Sequence, residues 1–530
     1  MIKSYKYIWI LLGFVSSLTF SACDDDIDPV VEELPITRVF APSGIEADIT
    51  DQTTVTITWN SNKNIDSYQL EISQDNLEFT NIIESVTLEK GVTSYTYDLP
   101  AGDTQYSARI MGLSETLNDS KWVTVSFESL PENLFYNYDL VMNGLGDITL
   151  SWTPGKQVTS MVFVDSEGQT AYDLAITPEE LAAGVKNFPG LANDLYTINL
   201  MNGSAVRGTQ KYVLEGDILL EAGGDLAAAI SAAASGNVIV LQGGESYGFV
   251  GDLTIDKSLK IKGIDGGEMP VMYTTSGDRM FFIGSTPTVT DSLVFENLYM
   301  SGYVNYTAGS QIRGVFDMES EACNIGAVKF LGCKIYDMGR QIMRLRGGSD
   351  QTIGEFVIDD CIIHNLGSSS SSYGVLCATE TNTNVTNIKV TNSTIDSLKC
   401  HFIRYDDATA CENIVVENCT FNKVPYSSGR YLMDIRNVAV TDGVQITNCI
   451  FGTSTYGDTP SISGVYYNAD ITTLTVSDSY ATTDFVNTGY SIVELCTSLG
   501  VASTDIFTDP DNGDFTLTDG SLDAGDPRWR

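Results

Sequence analysis

The chain is short of positive charge: its 530 residues carry 29 Lys and Arg against 69 Asp and Glu, for a formal charge of −40. A protein that tracks a phosphate backbone needs the opposite balance, so nucleic acid is excluded as a partner. Histidine is scarcer still, with only His364 and His401. A metal centre calls for His pairs or Cys-x-x-Cys at ligand spacing. Neither spacing occurs, so no metal site is assigned. A membrane-spanning apolar run is lacking too: Tyr7 to Phe20 falls short of the roughly 20 residues a spanning helix needs. With Lys3 and Lys6 before it and Phe20-Ser-Ala-Cys23 after it, this run describes a secretory signal over residues 1–22.

What the chain does have is a repeated phrase. It reads apolar, any, apolar, any, Asn or Asp, Cys or Ser, any, apolar, as in Phe356-Val-Ile-Asp-Asp-Cys361-Ile-Ile363 and Ile414-Val-Val-Glu-Asn-Cys419-Thr-Phe421. Its Cys or Ser column runs Cys333, Cys361, Ser393, Cys419, Cys449, Ser479, at steps of 28, 32, 26, 30 and 30 residues. A near-constant period of this size marks a solenoid whose coils bury their apolar faces on one another. Alternation at every second residue makes strands rather than helices. The Asn or Asp before the Cys column suits a left-handed corner, which would stack Asn392, Asn418 and Asn448. Nine cysteines follow Cys23. Those of the repeat column alternate with Ser, as small buried residues do, and are expected to be reduced.

The phrase and its Asn column resemble the right-handed parallel β-helix of the pectate-lyase-like superfamily, over residues 216–530. Asp225-Leu-Ala-Ala-Ala-Ile-Ser-Ala-Ala-Ala234 resembles the N-terminal cap helix of that superfamily, with Asp225 as N-cap and Gly236 as the stop. Phe507 to Phe515 and Gly520 to Trp529 resemble the closing segment of secreted bacterial β-helix proteins. Before the β-helix, Val55-Thr-Ile-Thr-Trp59, Tyr68-Gln-Leu-Glu-Ile72, Tyr106-Ser-Ala-Arg-Ile110 and Trp122 to Phe127 alternate as β-sandwich strands. Trp59 and Tyr106 resemble the core Trp and corner Tyr of a fibronectin type III module over 36–130. Trp152 and Tyr196 take the same places in a second, divergent sandwich over 131–215. The fold expected is therefore all-β: two sandwich modules, acting as spacers, followed by a parallel β-helix.

The address follows from the N-terminus. Phe20-Ser-Ala-Cys23 resembles a bacterial lipobox, with Cys23 as the lipidated residue, and Asp24-Asp25-Asp26 resembles the surface-export tag of Bacteroidetes lipoproteins. An acidic tether over 23–35 and an outer-membrane, outward-facing location are the expectation. The architecture resembles accessory lipoproteins of Bacteroidetes polysaccharide-utilisation systems. It implies binding of pectin or another uronate-containing glycan and, as a partner, an outer-membrane importer complex. A pectate-lyase-like enzyme and a non-catalytic structural or adhesive surface protein stay open as alternatives.

Aligning the second strand of each coil exposes charged columns. One reads Asp317, Arg344, Cys377, Arg404, Asp434, Tyr467, and the residues two further on include Glu319, Arg346, Asp406 and Arg436. Adjacent coils lie about 4.8 Å apart, so Asp317 is expected beside Arg344, Glu319 beside Arg346, Arg404 beside Asp434, and Asp406 beside Arg436. These columns form either a salt-bridge ladder or a groove that binds an acidic sugar, since the Arg fork matches a carboxylate. The candidate ligand-binding residues are Asp317, Arg344, Arg346, Arg404, Asp406, Asp434 and Arg436. Ser368 to Ser372 and Tyr373 read as a protruding loop at the groove's edge. The Trp-Ile-Asp-His and Asn-Thr-Asp signatures of family enzymes are absent, so no catalytic residue is assigned. No cofactor is required, though calcium bridging carboxylates stays open.

Overall fold

The computed structural model describes residues 36–135, 140–283, 291–318, 322–409, 411–454 and 462–530. The expected signal peptide, Cys23 and the acidic tether lie outside the described residues, as does Glu319. The chain is nearly all β, and divides into one unit ending at Glu132 and a second beginning at Asn133.

The first unit is a sandwich. One antiparallel sheet joins Ser43–Thr50, Thr54–Asn60 and Ser94–Asp98, and the other orders Ile82–Glu89, Ser67–Ser73, Gln105–Leu113 and Val123–Glu128. Alternate residues Val55, Ile57 and Trp59 face Tyr68, Leu70, Ile72, Ala108 and Ile110 across a buried core. Trp59 is buried and meets Tyr68 edge to face at 5.6 Å between ring centres, as the expected core Trp. Tyr106 donates its hydroxyl hydrogen to the Ala101 carbonyl at 3.1 Å, which is the expected corner.

The second unit opens with another sandwich. Thr170–Ala175, Ser160–Val164, Asp194–Asn202 and Ala205–Leu214 form one sheet; Val185–Phe188, Asp147–Ser151 and Leu140–Gly144 form the other. Trp152 is buried, and Tyr196 donates to the Ala192 carbonyl at 2.9 Å. The short helix Pro178–Ala183 carries a capping box between Thr177 and Glu180. This module differs from the expected free-standing spacer. Its core includes Val238, Val240 and Ile264 of the β-helix, and Tyr212 donates to Asp265 Oδ2 at 2.5 Å. The reason is local: in Val238–Leu241, Ile239 and Leu241 turn into the β-helix while Val238 and Val240 turn into the sandwich, so one strand serves two cores.

The β-helix stacks its coils as three parallel sheets of ten, ten and eight described strands. The first includes Gln351–Asp359 and Thr383–Thr391, the second Ile362–Leu366 and Thr394–Leu398, the third Gln341–Leu345 and Gly374–Ala378. The corner between the first and second sheets is a left-handed column, with φ of +53°, +53°, +50°, +53°, +54° and +48° at Asn297, Asp360, Asn392, Asn418, Asn448 and Asp478. The following Cys and Ser point inward: Cys333, Cys361, Cys419 and Cys449 are buried, and all nine thiols of the described chain are free. At the N-terminal end the helix Leu226–Ala232 buries Leu226 and Ile230 over the first coils, with Asp225 accepting from the Ala228 amide at 3.0 Å. It stops at Ala232, before Gly236, because Ala233 already adopts an extended backbone. At the other end the closing segment lays Trp529 on the second sheet, its indole N–H donating to Thr394 Oγ1 at 2.7 Å.

Candidate functional site

The third sheet carries the charged columns outward. Its interior positions, such as Phe316, Met343, Leu376, Ile403, Met433 and Val465, fill the core, so the residue after each faces away from it. Register sets Asp317 opposite Arg344, Arg344 opposite Cys377, Cys377 opposite Arg404, and Arg404 opposite Asp434. In the last coil Tyr466, not Tyr467, stands opposite Asp434. The matching Gly-Val pattern of Gly314, Gly374 and Gly464 misleads here. Gly464 fills a different column, where the Tyr490 carbonyl approaches to 2.1 Å from the place a Cβ would occupy.

Side chains pair differently from the strands that carry them. Arg436 gives Asp434 a two-pronged contact, Nε to Oδ1 at 2.8 Å and Nη2 to Oδ2 at 2.5 Å, and Arg404 Nη2 lies 3.6 Å from Asp406 Oδ2. Both pairs run along a strand, two residues apart, rather than across coils as expected. The i, i+2 neighbour shares the outward face, so an Arg folded back along its own strand reaches it without bridging to the next coil. Asp317 is buried, 3.7 Å from Arg279 Nη1 and 3.9 Å from Arg346 Nη1. The bond to Asp434 raises the Arg436 pKa, whereas burial and the nearby Asp434 and Asp407 raise that of Asp406. Burial pushes the Cys377 thiol up to about 11 against the pull of Arg404 and Arg344.

Arg344 takes no part in this pairing. Its guanidinium lies 4.8 Å from the ring centre of Tyr373, with that of Arg340 at 5.2 Å. The serine run before Tyr373 folds down on the same cations: Arg404 Nη1 donates to the Ser372 carbonyl at 2.6 Å, and Arg430 Nε donates to Ser371 Oγ at 3.0 Å. The loop expected to border a groove is thus seated among four arginines. Among the described residues Arg340, Arg344 and Arg430 have no acidic partner at ion-pair distance. Further along, His401, Tyr431, Tyr466 and Tyr490 form a run of rings. Tyr466 and Tyr490 stack at 3.8 Å, and Arg436 sits 4.2 Å from the Tyr466 ring centre. Tyr490 is half exposed.

Arg340, Arg430 and the tyrosines were not among the residues the sequence singled out. Arg340 immediately precedes its strand and Arg430 begins one, with Tyr431 next, so columns at the strand start would have revealed them. Tyr490 comes from a segment without the repeat and carried no such signal. The acidic turn near the C-terminus uses its carboxylates internally: Asp511 pairs with Lys423 at 2.7 Å, and Asp514 accepts from the Thr516 amide at 3.0 Å.

Two family models match inside the β-helix, both described as domains of unknown function: DUF4957 over residues 245–397 and DUF5123 over residues 414–529. No curated protein matches the chain. Among solved structures, a two-domain fibronectin type III segment of chicken tenascin is 15% identical, covering 33% of this chain and 98% of its own, with a TM-score of 0.20. A computationally redesigned β-sandwich protein is 21% identical, covering 18% and 92%, with a TM-score of 0.16. The FN1–FN3 domains of chicken CNTN1 are 16% identical, covering 32% and 66%, with a TM-score of 0.15.

Proposed function

We propose that this chain is a glycan-binding lipoprotein, anchored through Cys23 and facing outward from an outer membrane, and that the third-sheet face takes a uronate-containing polysaccharide without cleaving it. The observation that carries this reading is the set of Arg340, Arg344 and Arg430, three arginines without an acidic partner among the described residues, in a chain of net charge −40. In a protein with so many carboxylates, guanidinium groups without a described acidic partner can take a carboxylate ligand, Arg344 first, since Arg430 already donates to Ser371, Gly429 and Ser372 and Arg340 to Tyr373. Tyr466 and Tyr490 extend the same face with rings on which a sugar can lie. Asp406 and Asp434 are engaged by Arg404 and Arg436, which argues against their serving as the free acid and base of a hydrolase. A place beside a polysaccharide importer belongs to the same proposal and rests on the order of signal, tether, sandwiches and β-helix.

The test is binding of polygalacturonate to the folded chain, with and without calcium. Arg340→Ala and Arg344→Ala should each weaken it by roughly 1.5 to 3 kcal/mol, the range for a charged hydrogen bond, and added salt should weaken it further. Release of unsaturated uronates absorbing in the ultraviolet would replace this reading with a lyase. No binding at all, with folded variants unchanged, would leave the arginines as a clamp for the serine loop. For the anchor, a Cys23→Ala chain should lose its membrane attachment.

A further inference from the structure

A different face of the β-helix carries a second constellation. On the outward side of the second sheet, register lines up Ser301, Tyr336, His364 and Asp396 on successive coils. Tyr273 stands on the preceding strand, Tyr299 on the strand of Ser301 itself, and Tyr306 folds over them from the turn Val304–Tyr306. The rings form an unbroken chain: Tyr273 to Tyr306 at 6.0 Å, Tyr306 to Tyr299 at 5.9 Å, Tyr299 to Tyr336 at 5.2 Å and Tyr336 to His364 at 5.2 Å. All are at least partly exposed, and Tyr306 is 47% exposed. Core packing does not require them there, since the inward positions of these strands are Met272, Met300, Ile335 and Ile363.

His364 is held in one orientation. Its Nδ1 lies 2.7 Å from Asp396 Oδ2, and Asp396, 4% exposed, also accepts from Asn422 at 2.9 Å and Ser397 at 2.9 Å. A carboxylate so placed accepts from the ring at Nδ1 and fixes how the imidazole sits on the face. The tyrosine hydroxyls supply donors, because burial and the neighbouring Tyr306 and Asp337 raise Tyr299 and keep it a neutral phenol.

The charges nearby are mixed. Asp337 and the His364-paired Asp396 flank the rings, Lys334 stands on the intervening strand, Arg528 of the C-terminal segment lies near enough to act on Tyr336, and no arginine stands in the column itself. The chain's own C-terminal segment covers the next stretch of this face: Trp529 and Asp526 bond Thr394, and Arg528 reaches Asp360. That segment reaches the corner of the His364 coil, where Arg528 bonds Asp360 and its charge is felt at Tyr336, while Tyr273, Tyr299, Tyr306, Tyr336 and His364 keep exposed surface for a ligand.

We infer that this ring-lined stretch of the second sheet is a separate binding site for an uncharged polysaccharide, whose sugar C–H faces lie on the tyrosines and whose hydroxyls bond His364 and the phenols. Rings with an apolar body and a polar rim suit that ligand, and the column holds no arginine fork of the kind that the uronate proposal uses on the other face. The inference does not depend on that proposal.

The experiment is affinity electrophoresis of the full chain in gels containing galactan, arabinan or mixed-linkage β-glucan, followed by calorimetric titration with whichever retards it. At least one should retard the parent protein. Tyr306→Ala, on a surface turn, and Tyr336→Ala should each weaken binding about tenfold and leave polygalacturonate binding unchanged, while Arg344→Ala should leave the uncharged glycan's binding unchanged. Absence of retardation by every uncharged glycan overturns the inference, as does a folded Tyr306→Ala protein retarded as strongly as the parent. A Tyr306→Ala change confined to sedimentation, with no effect on any glycan, would assign the rings to self-association and overturn it equally.

Discussion

Asn418 donates its side-chain N–H to Oδ1 of Asn392 at 3.0 Å across one coil, and Asn392 donates in turn to Oδ1 of Asp359 at 2.9 Å. Both asparagines have left-handed backbones, so the side chain has two separable tasks: tolerating positive φ and linking the coils. Asn418 Oδ1 also accepts from Asn448 at 2.7 Å and from Arg530 at 3.3 Å, so Asn418→Gly should lose only these links, about 1 kcal/mol each. Asn418→Ala should lose the links and a further roughly 1–2 kcal/mol, because Cβ crowds the carbonyl in that conformation. Urea midpoints of the two variants decide it. Equal losses would show that φ is not what the position selects for.

The thiol column makes a second prediction. The Cys361 amide donates to Ser393 Oγ at 3.0 Å, and the Cys449 amide to Ser479 Oγ at 3.1 Å, so Ser and Cys are interchangeable partners in one stack. Burial raises Cys361 and Cys419 well above the ordinary thiol range, which keeps them protonated and unreactive. Alkylation of the native protein should spare Cys361, Cys419 and Cys449, and unfolding should expose all three. Cys419→Ser should cost about 1 kcal/mol or less, whereas Cys419→Leu should cost about 1–3 kcal/mol by overpacking. Disulfide-linked peptides joining these positions would contradict the column.

Arginines on the third sheet should separate by stability. Asp434 is 1% exposed, and Arg436 supplies both of its close charged contacts. Arg436→Gln strands a buried carboxylate and should cost toward the lower end of roughly 3–5 kcal/mol, since Arg436 is itself about a third exposed. Arg344→Ala removes a cation that pairs with no described carboxylate and should stay within about 0.5 kcal/mol of the parent. Thermal unfolding of both variants provides the comparison. A large loss for Arg344→Ala would make it part of the scaffold instead of a ligand contact.

The repeat was legible because two signals agreed: a period of two for the strands and an Asn or Asp at each corner. The outward columns from Asp317 to Asp434 followed from the same alignment. What the alignment could not supply was the choice each long side chain makes among neighbours. Arg404 stands opposite Asp434 yet turns to Asp406, two residues along its own strand. The serine loop has no periodicity, so its descent onto Arg404 and Arg430 left no trace in the pattern. The shared core of the second sandwich did leave one. Val238-Ile-Val-Leu241 is apolar at every position, the mark of a strand buried on both faces.

His401 carries the last prediction. It is 2% exposed, stacks on Tyr431 at 5.7 Å between ring centres, and accepts at Nδ1 from the Tyr431 amide at 3.2 Å. That bond requires an unprotonated Nδ1. Burial first, and then the charges of Arg404, Arg430 and Arg436, push its pKa from 6.5 down to about 3. A folded pKa below the unfolded one means that the unfolded chain takes up the proton first. The contribution to stability is therefore complete above pH 6.5 and is lost as pH falls from there toward 3, at about 1.4 kcal/mol per pH unit. With 69 acidic residues titrating nearby in pH, the parent's own curve is a composite, so the readout is its difference from His401→Gln, whose amide oxygen can still accept from Tyr431 and does not titrate. Between pH 7 and pH 5 the parent should lose about 2 kcal/mol relative to that variant in urea unfolding. Parallel curves for the two proteins, or a relative gain by the parent in acid, would show that His401 can be charged within the fold, and that the rings and arginines around it leave room for a proton.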